Sequence, residues 1–301
     1  MSTPDARTAP PADDVTLANP RADRVKQVRA LSGRSARLRH AQLLVEGPQG
    51  VREAVRCSPD AVRDVYLTPA TAQRYAEIAD AARAAGIRVH LGTHEVLAAM
   101  SPDAQGVLAV VRTHTPTLDE ALGALDGPDG GRRRSLLVAV LATVRDPGNA
   151  GTVIRAADAA GADLVVLAGD SVDVHNPKVV RSTAGSLFHV PVVSGVPLAD
   201  VVDAVHERGL TVLAADGAGP HDLDDLLDVA GPSHAGERGA GTPDLAASTA
   251  WVFGNEAWGL PEKDRELADA VVRVPIRGRA ESLNLATAAT VCLYASSRAQ
   301  R

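Results

Sequence analysis

Three short polar clusters, far apart along this chain, carry residue types that could grip and align a nucleotide. The first is Asp146-Pro147-Gly148-Asn149-Ala150-Gly151-Thr152-Val153-Ile154-Arg155, which supplies an amide and a guanidinium. The second, Val252-Phe253-Gly254-Asn255-Glu256-Ala257-Trp258-Gly259-Leu260, places a carboxylate just behind a glycine. The third runs Val274-Pro275-Ile276-Arg277-Gly278-Arg279-Ala280-Glu281-Ser282-Leu283-Asn284-Leu285, an apolar strand end followed by a polar loop. A guanidinium offers a fixed fork of donors that fits a phosphate, and side-chain amides both donate and accept. A glycine lets the backbone come close to a ligand. The common nucleotide and hydrolase signatures are missing: no Gly-x-Gly-x-x-Gly after the first strand, no Gly-Lys-Ser/Thr, no nucleophile elbow and no zinc-ligand spacing.

The elements that must position these clusters alternate between strand and helix. From Ser135 onward, apolar strands are predicted at 136–141, 164–167, 190–193, 210–214, 251–253 and 271–276. Helices follow at 149–160, 176 onward, 198–208, 261–267 and 282–298. Asn149 and Asn176 stand as N-caps, the latter with Pro177 at the first helical position. Six apolar strands alternating with helices imply a mostly parallel sheet covered on both faces. All three clusters follow strand ends, and in such sheets the crevice at the carboxyl ends of the strands is where ligands bind. Upstream, a basic helix is predicted over 24–38. Strands at 43–47, 62–68, 87–90 and 106–112 then alternate with helices to make a compact α/β/α unit. The boundaries that result are a disordered tail over 1–20, a first domain over 21–113, a linker over 114–135 and a second domain over 136–301.

Composition narrows the class. The chain has 301 residues, a net charge of −6 and two isolated cysteines, Cys57 and Cys292. No apolar run approaches a membrane span and the N-terminus lacks an apolar signal core, so a cytoplasmic, metal-free protein is expected. The overall acidity speaks against nucleic acid, but its distribution reverses that. Residues 21–113 hold 14 Arg/Lys against 9 Asp/Glu, whereas 216–247 hold seven acidic residues against Arg238 alone. The densest basic run, which includes Arg34, Arg37 and Arg39, is a candidate phosphate-binding face.

In this order and spacing the three clusters resemble the signature motifs of the SpoU (TrmH-like) family of RNA 2′-O-ribose methyltransferases, over roughly residues 136–298. The preceding unit resembles the L30e-like RNA-binding domain that many members carry. The resemblance implies an α/β fold of the SPOUT type, with a mostly parallel sheet, helices on both faces and a C-terminal trefoil knot. It implies S-adenosyl-L-methionine held by the knot loops at Gly254, Ile276 and Leu285, and a homodimer whose active site draws on both protomers. Arg155 matches the family's catalytic arginine. Because a guanidinium stays protonated, its physically sounder role is to grip the phosphate and orient the 2′-oxygen. Asn149 would fix the ribose or the arginine, Glu256 would anchor the loop or the cofactor ammonium, and Ser282 and Asn284 would hold the knot loop and contact the nucleotide. Arg181, in a segment beside the active site, is expected to touch RNA phosphate.

The RNA expected is 23S rRNA, because the L30e-like unit is usually lacking in the tRNA 2′-O-methyltransferases that form the nearest alternative. A non-catalytic RNA-binding or ribosome-assembly factor of the same fold is the alternative from another class. The intact Asn149, Arg155, Glu256, Ser282 and Asn284 weigh against it.

Overall fold

The computed structural model describes residues 17–126 and 135–301, organised around two sheets. The first contains β1 (Gln42–Glu46), β2 (Val62–Leu67), β3 (Arg88–Leu91) and β4 (Val107–Arg112) in the order β1-β4-β2-β3. β4 runs antiparallel to both β1 and β2, while β2 and β3 are parallel. Alternate side chains of these strands feed two cores. Val45, Val65 and Ala109 meet Val51 and Ile78 of the helices Pro48–Cys57 and Ala76–Ala84 on one face. On the other, Leu44, Tyr66 and Leu108 meet Val25, Val96 and Met100 of Asp23–Ala30 and His94–Met100. This is the α/β/α layering expected from the alternation. The expected single basic helix is two, Asp23–Ala30 and Arg34–His40, because Gly33 starts a new helix. Of the expected tail, residues 1–16 lie outside the described residues. Leu17 is ordered by its amide hydrogen bond to the Leu91 carbonyl.

The second sheet is parallel at every pairing. It comprises β5 (Leu137–Ala142), β6 (Leu164–Ala168), β7 (Val192–Ser194), β8 (Thr211–Ala215), β9 (His221–Asp222), β10 (Thr249–Phe253) and β11 (Ala270–Arg273), ordered β7-β6-β5-β10-β8-β11-β9. The six expected strands are present, and β9 is a short addition inside the acidic segment. The chain lays β5, β6 and β7 outward to one side, then inserts β10 between β5 and β8. That insertion gathers the carboxyl ends of β5, β10, β8 and β11 along one edge. Core packing locks the order: Trp251 of β10 is fully buried, and its Nε1 donates to Ser296 Oγ of the terminal helix Leu285–Ala299 at 2.9 Å.

Part of the expected linker is structured. The helix Leu118–Gly123 opens on a capping box between Thr117 and Glu120 and buries Leu118, Ala121 and Leu122 against the outer face of the parallel sheet. Residues 127–134 lie outside the described residues.

Two arginines assigned to RNA join the halves through ion pairs, and burial corrects the expectation for one of them, Arg37. Arg37 is only 5% exposed. Its guanidinium donates to Asp173 at 2.6 Å and to the carbonyls of Leu31 and Ser32, so it is a buried strut and not a phosphate contact. Burial pushes the Asp173 carboxyl up, but the Arg37 hydrogen bond and the His175 amide outweigh it and leave the pKa lowered. Arg181 pairs with the buried Glu46 and with Asp103. It therefore fastens the helix Pro177–Ser182 against β1, and Val180 of that helix enters the core of the first sheet. Arg37→Ala should destabilise the protein by about 3 kcal/mol, since it strands a half-buried carboxylate. Urea unfolding checks this, and a change below about 0.5 kcal/mol, the usual size for a surface site, would restore Arg37 to the surface.

His189 bridges the same boundary, 2.9 Å from Asp158 and 3.2 Å from Glu53. The hydrogen bond to Asp158 raises its pKa, burial works against this, and Glu53 adds to the rise. With the folded value raised, the stabilisation is fully present at mildly acidic pH and is lost as pH climbs through that value. Glu53→Gln should move the His189 titration downward by NMR, and an unmoved titration would mean that Glu53 contributes nothing.

Candidate active site

Each polar cluster is placed by its strand. β5 ends at Ala142, and Asp146 caps the helix Pro147–Ala160 by accepting from the Asn149 amide at 2.8 Å. Asn149 was the expected cap. The cap is instead Asp146, immediately before a proline at the first helical position, which leaves the Asn149 side chain free for other partners. Gly151 lets this helix press on Pro177–Ser182, because a Cβ there would meet the Val179 carbonyl at 2.6 Å.

β10 leads into a tight loop. Asn255 and Gly259 exchange backbone hydrogen bonds of 2.9 Å, and the buried Asn255 donates its amide to the Thr143 carbonyl at 2.8 Å. A Cβ on Gly254 would lie 2.3 Å from Gly259 C and 2.6 Å from Leu260 N, so only glycine permits this loop to fold back on itself. The loop presents Glu256 to the start of the helix Pro147–Ala160. There its carboxylate accepts from the amides of Arg145 and Asp146 and from Asn149 Nδ2. Helix N-termini favour such negative charge.

After β11 the chain runs through an irregular loop, with bends at Gly278, Arg279 and Glu281, to Asn284, which caps the terminal helix by accepting from Ala286 N at 2.9 Å. The expected strand to Ile276 stops at Arg273, and the helix starts at Leu285 and not at Ser282. Asn284 Nδ2 donates to Asn149 Oδ1 at 3.1 Å, and Asn149 Nδ2 donates to Glu256 at 3.3 Å. One hydrogen-bonded chain, Asn284–Asn149–Glu256, thus ties the three clusters together. Each amide has its donor and acceptor ends fixed by its partners.

The chain borders two recesses. One is a cleft of about 660 Å³ at the carboxyl ends of β8, β10 and β11, lined by Gly254, Glu256, Ile276, Ser282 and Leu285 together with the Ala215–Gly217 turn. The turn drew no attention in the sequence. It was legible only as the end of a strand whose neighbours were unknown. Ile276 is 40% exposed, an aliphatic side chain facing the opening. The other recess is a shallow groove formed by Asn149, Thr152, Asn284, Thr287 and Val291. Arg155 lines neither. It stands exposed on the helix Pro147–Ala160, and no carboxylate among the described residues pairs with it. Arg34 and Arg39 are likewise exposed and unpaired among the described residues.

Known families match both halves. The SpoU rRNA methylase family matches residues 136–294, more than half of the chain, and a family described as RNA 2′-O ribose methyltransferase substrate binding matches residues 44–117. The chain belongs to the SpoU rRNA methylase family. Among its relatives, the 23S rRNA (guanosine-2′-O-)-methyltransferase RlmB of Bordetella pertussis is 31% identical over 260 residues, which cover 85% of this chain and 96% of that one. The corresponding RlmP enzyme of Bacillus subtilis is 32% identical, covering 90% and 94%. Similar solved structures include the AdoMet-bound rRNA methyltransferase of Sinorhizobium meliloti, with TM-score 0.74, 26% identity and coverage of 94% and 97%. Another is the SpoU methyltransferase AviRb of Streptomyces viridochromogenes in complex with AdoMet, with TM-score 0.74, 30% identity and coverage of 92% and 98%.

Proposed function

We propose that this SpoU family member is an S-adenosylmethionine-dependent enzyme that methylates a ribose 2′-hydroxyl of 23S rRNA. The observation that carries the reading is the Asn284–Asn149–Glu256 chain, which joins a small-molecule cleft to an open, nucleotide-sized groove. The cleft suits the cofactor. Its volume falls in the range of small-molecule sites, Ile276 and Leu285 give apolar contact for a flat purine, and the loop at Gly254 offers main-chain groups. Gly254, Ile276 and Leu285 would hold it there, and Ser282 would close the polar side. When bound, S-adenosylmethionine supplies a methyl group on a sulfonium.

The protein's own task is to bring a weakly acidic hydroxyl into line. Glu256 serves as the loop anchor, since its carboxylate is already engaged by two amides and Asn149. Asn149 and Asn284 face the groove and would hold the ribose. Arg155, permanently charged, would grip the adjoining phosphate and polarise the 2′-oxygen by proximity. Because Arg155 lies outside both recesses, the reading includes a homodimer in which a second copy brings its Arg155 to the site. Support comes from the terminal helix, which exposes Val291 and Tyr294 beside the helix that carries Arg155.

The same reading takes residues 21–113 as an L30e-like RNA-binding domain, 136–301 as the methyltransferase domain, and the C-terminal passage as a trefoil knot. Arg34 remains a candidate for phosphate contact in a cleft of about 1160 Å³ between the two sheets, which it lines with Leu38, and the exposed Arg39 remains one on the surface. The setting would be the cytoplasm, where ribosomal RNA is processed. Among the described residues no helix is long and apolar enough to cross a membrane. The test is methyl transfer from labelled S-adenosylmethionine to total rRNA and, separately, to total tRNA. Label in 23S rRNA is expected, label only in tRNA would overturn the substrate, and label in neither would overturn the activity.

A further inference from the structure

The chain contains two tryptophans with opposite fates. Trp251 is fully buried, whereas Trp258 is 55% exposed at the tip of the Asn255–Gly259 loop. More than half of Trp258 is open to solvent, and it does not stand alone. The loop is stapled by two backbone hydrogen bonds and by Asn255 to Thr143, so the backbone that carries the indole is held in place. The guanidinium of Arg145 lies over the ring, 5.8 Å from its centroid, and no carboxylate among the described residues neutralises it. Both residues flank Glu256, whose carboxylate accepts from the Arg145 amide. An exposed indole beside a cation that no described carboxylate pairs with, next to the Glu256 that holds Asn149, is the equipment that binds an unstacked base and its phosphate.

We infer that Trp258 and Arg145 form a stacking platform for an unpaired nucleobase next to the target nucleotide. The inference rests on the proposed RNA methyltransferase reading and adds to it a recognition element on the substrate. The indole face takes the base, and Arg145 takes the phosphate that follows it. Such stacking is tolerant of base identity, so the platform selects unpaired RNA at this position and not a particular base.

The test uses the full chain, S-adenosylmethionine and an in vitro transcript of 23S rRNA. Trp258→Ala should raise the KM for RNA about tenfold. Its kcat and its affinity for S-adenosylmethionine should stay near the parent values, and Trp258→Phe should recover most of the loss. Fluorescence gives a readout independent of turnover: the transcript should shield the indole of the parent protein from acrylamide, and Trp258→Phe, which keeps only the buried Trp251, should show no such change. An unchanged KM in Trp258→Ala, or unchanged quenching of the parent on RNA addition, would overturn the platform. So would a loss confined to cofactor affinity or to self-association. These outcomes count against the platform alone when the parent protein transfers methyl groups. If the parent transfers none to any RNA, it is the underlying reading that fails.

Discussion

Arg155→Ala should reduce methyl transfer by roughly a hundredfold or more while leaving the affinity for S-adenosylmethionine within about twofold. The separation follows from position. Arg155 is exposed on the helix Pro147–Ala160 and outside the cleft that suits the cofactor, so removing it strips the proposed phosphate grip and leaves the cleft walls untouched. It makes no structural ion pair among the described residues, so the variant should unfold at close to the parent temperature. Arg155→Lys should recover only part of the rate, because an ammonium keeps the charge but loses the planar fork. Isothermal titration with cofactor and single-turnover methyl transfer measure the two arms. A large loss of cofactor affinity would mean that Arg155 acts at the cofactor and not at the RNA.

Gly254→Ala should lower cofactor affinity at least tenfold or so and destabilise the fold by about 1–3 kcal/mol. The added Cβ would sit 2.3 Å from Gly259 C and 2.5 Å from its oxygen, both backbone atoms that no side-chain rotation can clear. The loop must therefore open. Opening it breaks the paired hydrogen bonds between Asn255 and Gly259 and withdraws Glu256 from Asn149. The damage should reach both recesses, unlike that of Arg155→Ala. Cofactor binding and a melting curve are enough to check this, and parent-like binding would show that the close approach at Gly254 is dispensable. The glycine was expected to permit approach to the cofactor. The contact it protects in the structure is with its own loop, which in turn shapes the cleft.

The site was legible in the sequence to the extent that it is local. Strand periodicity located the six main strands, and the placement of each polar cluster after one of them put all three on one edge. Helix caps were half legible. Asp146 and Asn149 are both good caps, and the proline at 147 was the signal that favours Asp146. The Thr117–Glu120 capping box likewise announced a helix inside the segment taken as linker. Long-range pairing was not legible. Nothing in the residues around Arg37 says that it meets Asp173, and nothing around Arg181 says that it meets Glu46, since those partners come from opposite halves. Counting basic residues treats each arginine as equally available, and burial removes Arg37 while sparing Arg34 and Arg39. The Asn284–Asn149–Glu256 chain was equally hidden, because it exists only once β10 lies between β5 and β8.

The central claim is most directly tested by where the methyl group goes. 23S rRNA treated with the protein and S-adenosylmethionine, then hydrolysed with alkali, should yield one new alkali-resistant dinucleotide carrying the label. Methylation of the ribose 2′-oxygen removes the nucleophile that alkaline cleavage needs. Label recovered only in alkali-sensitive mononucleotides would place the methyl on a base and contradict the account.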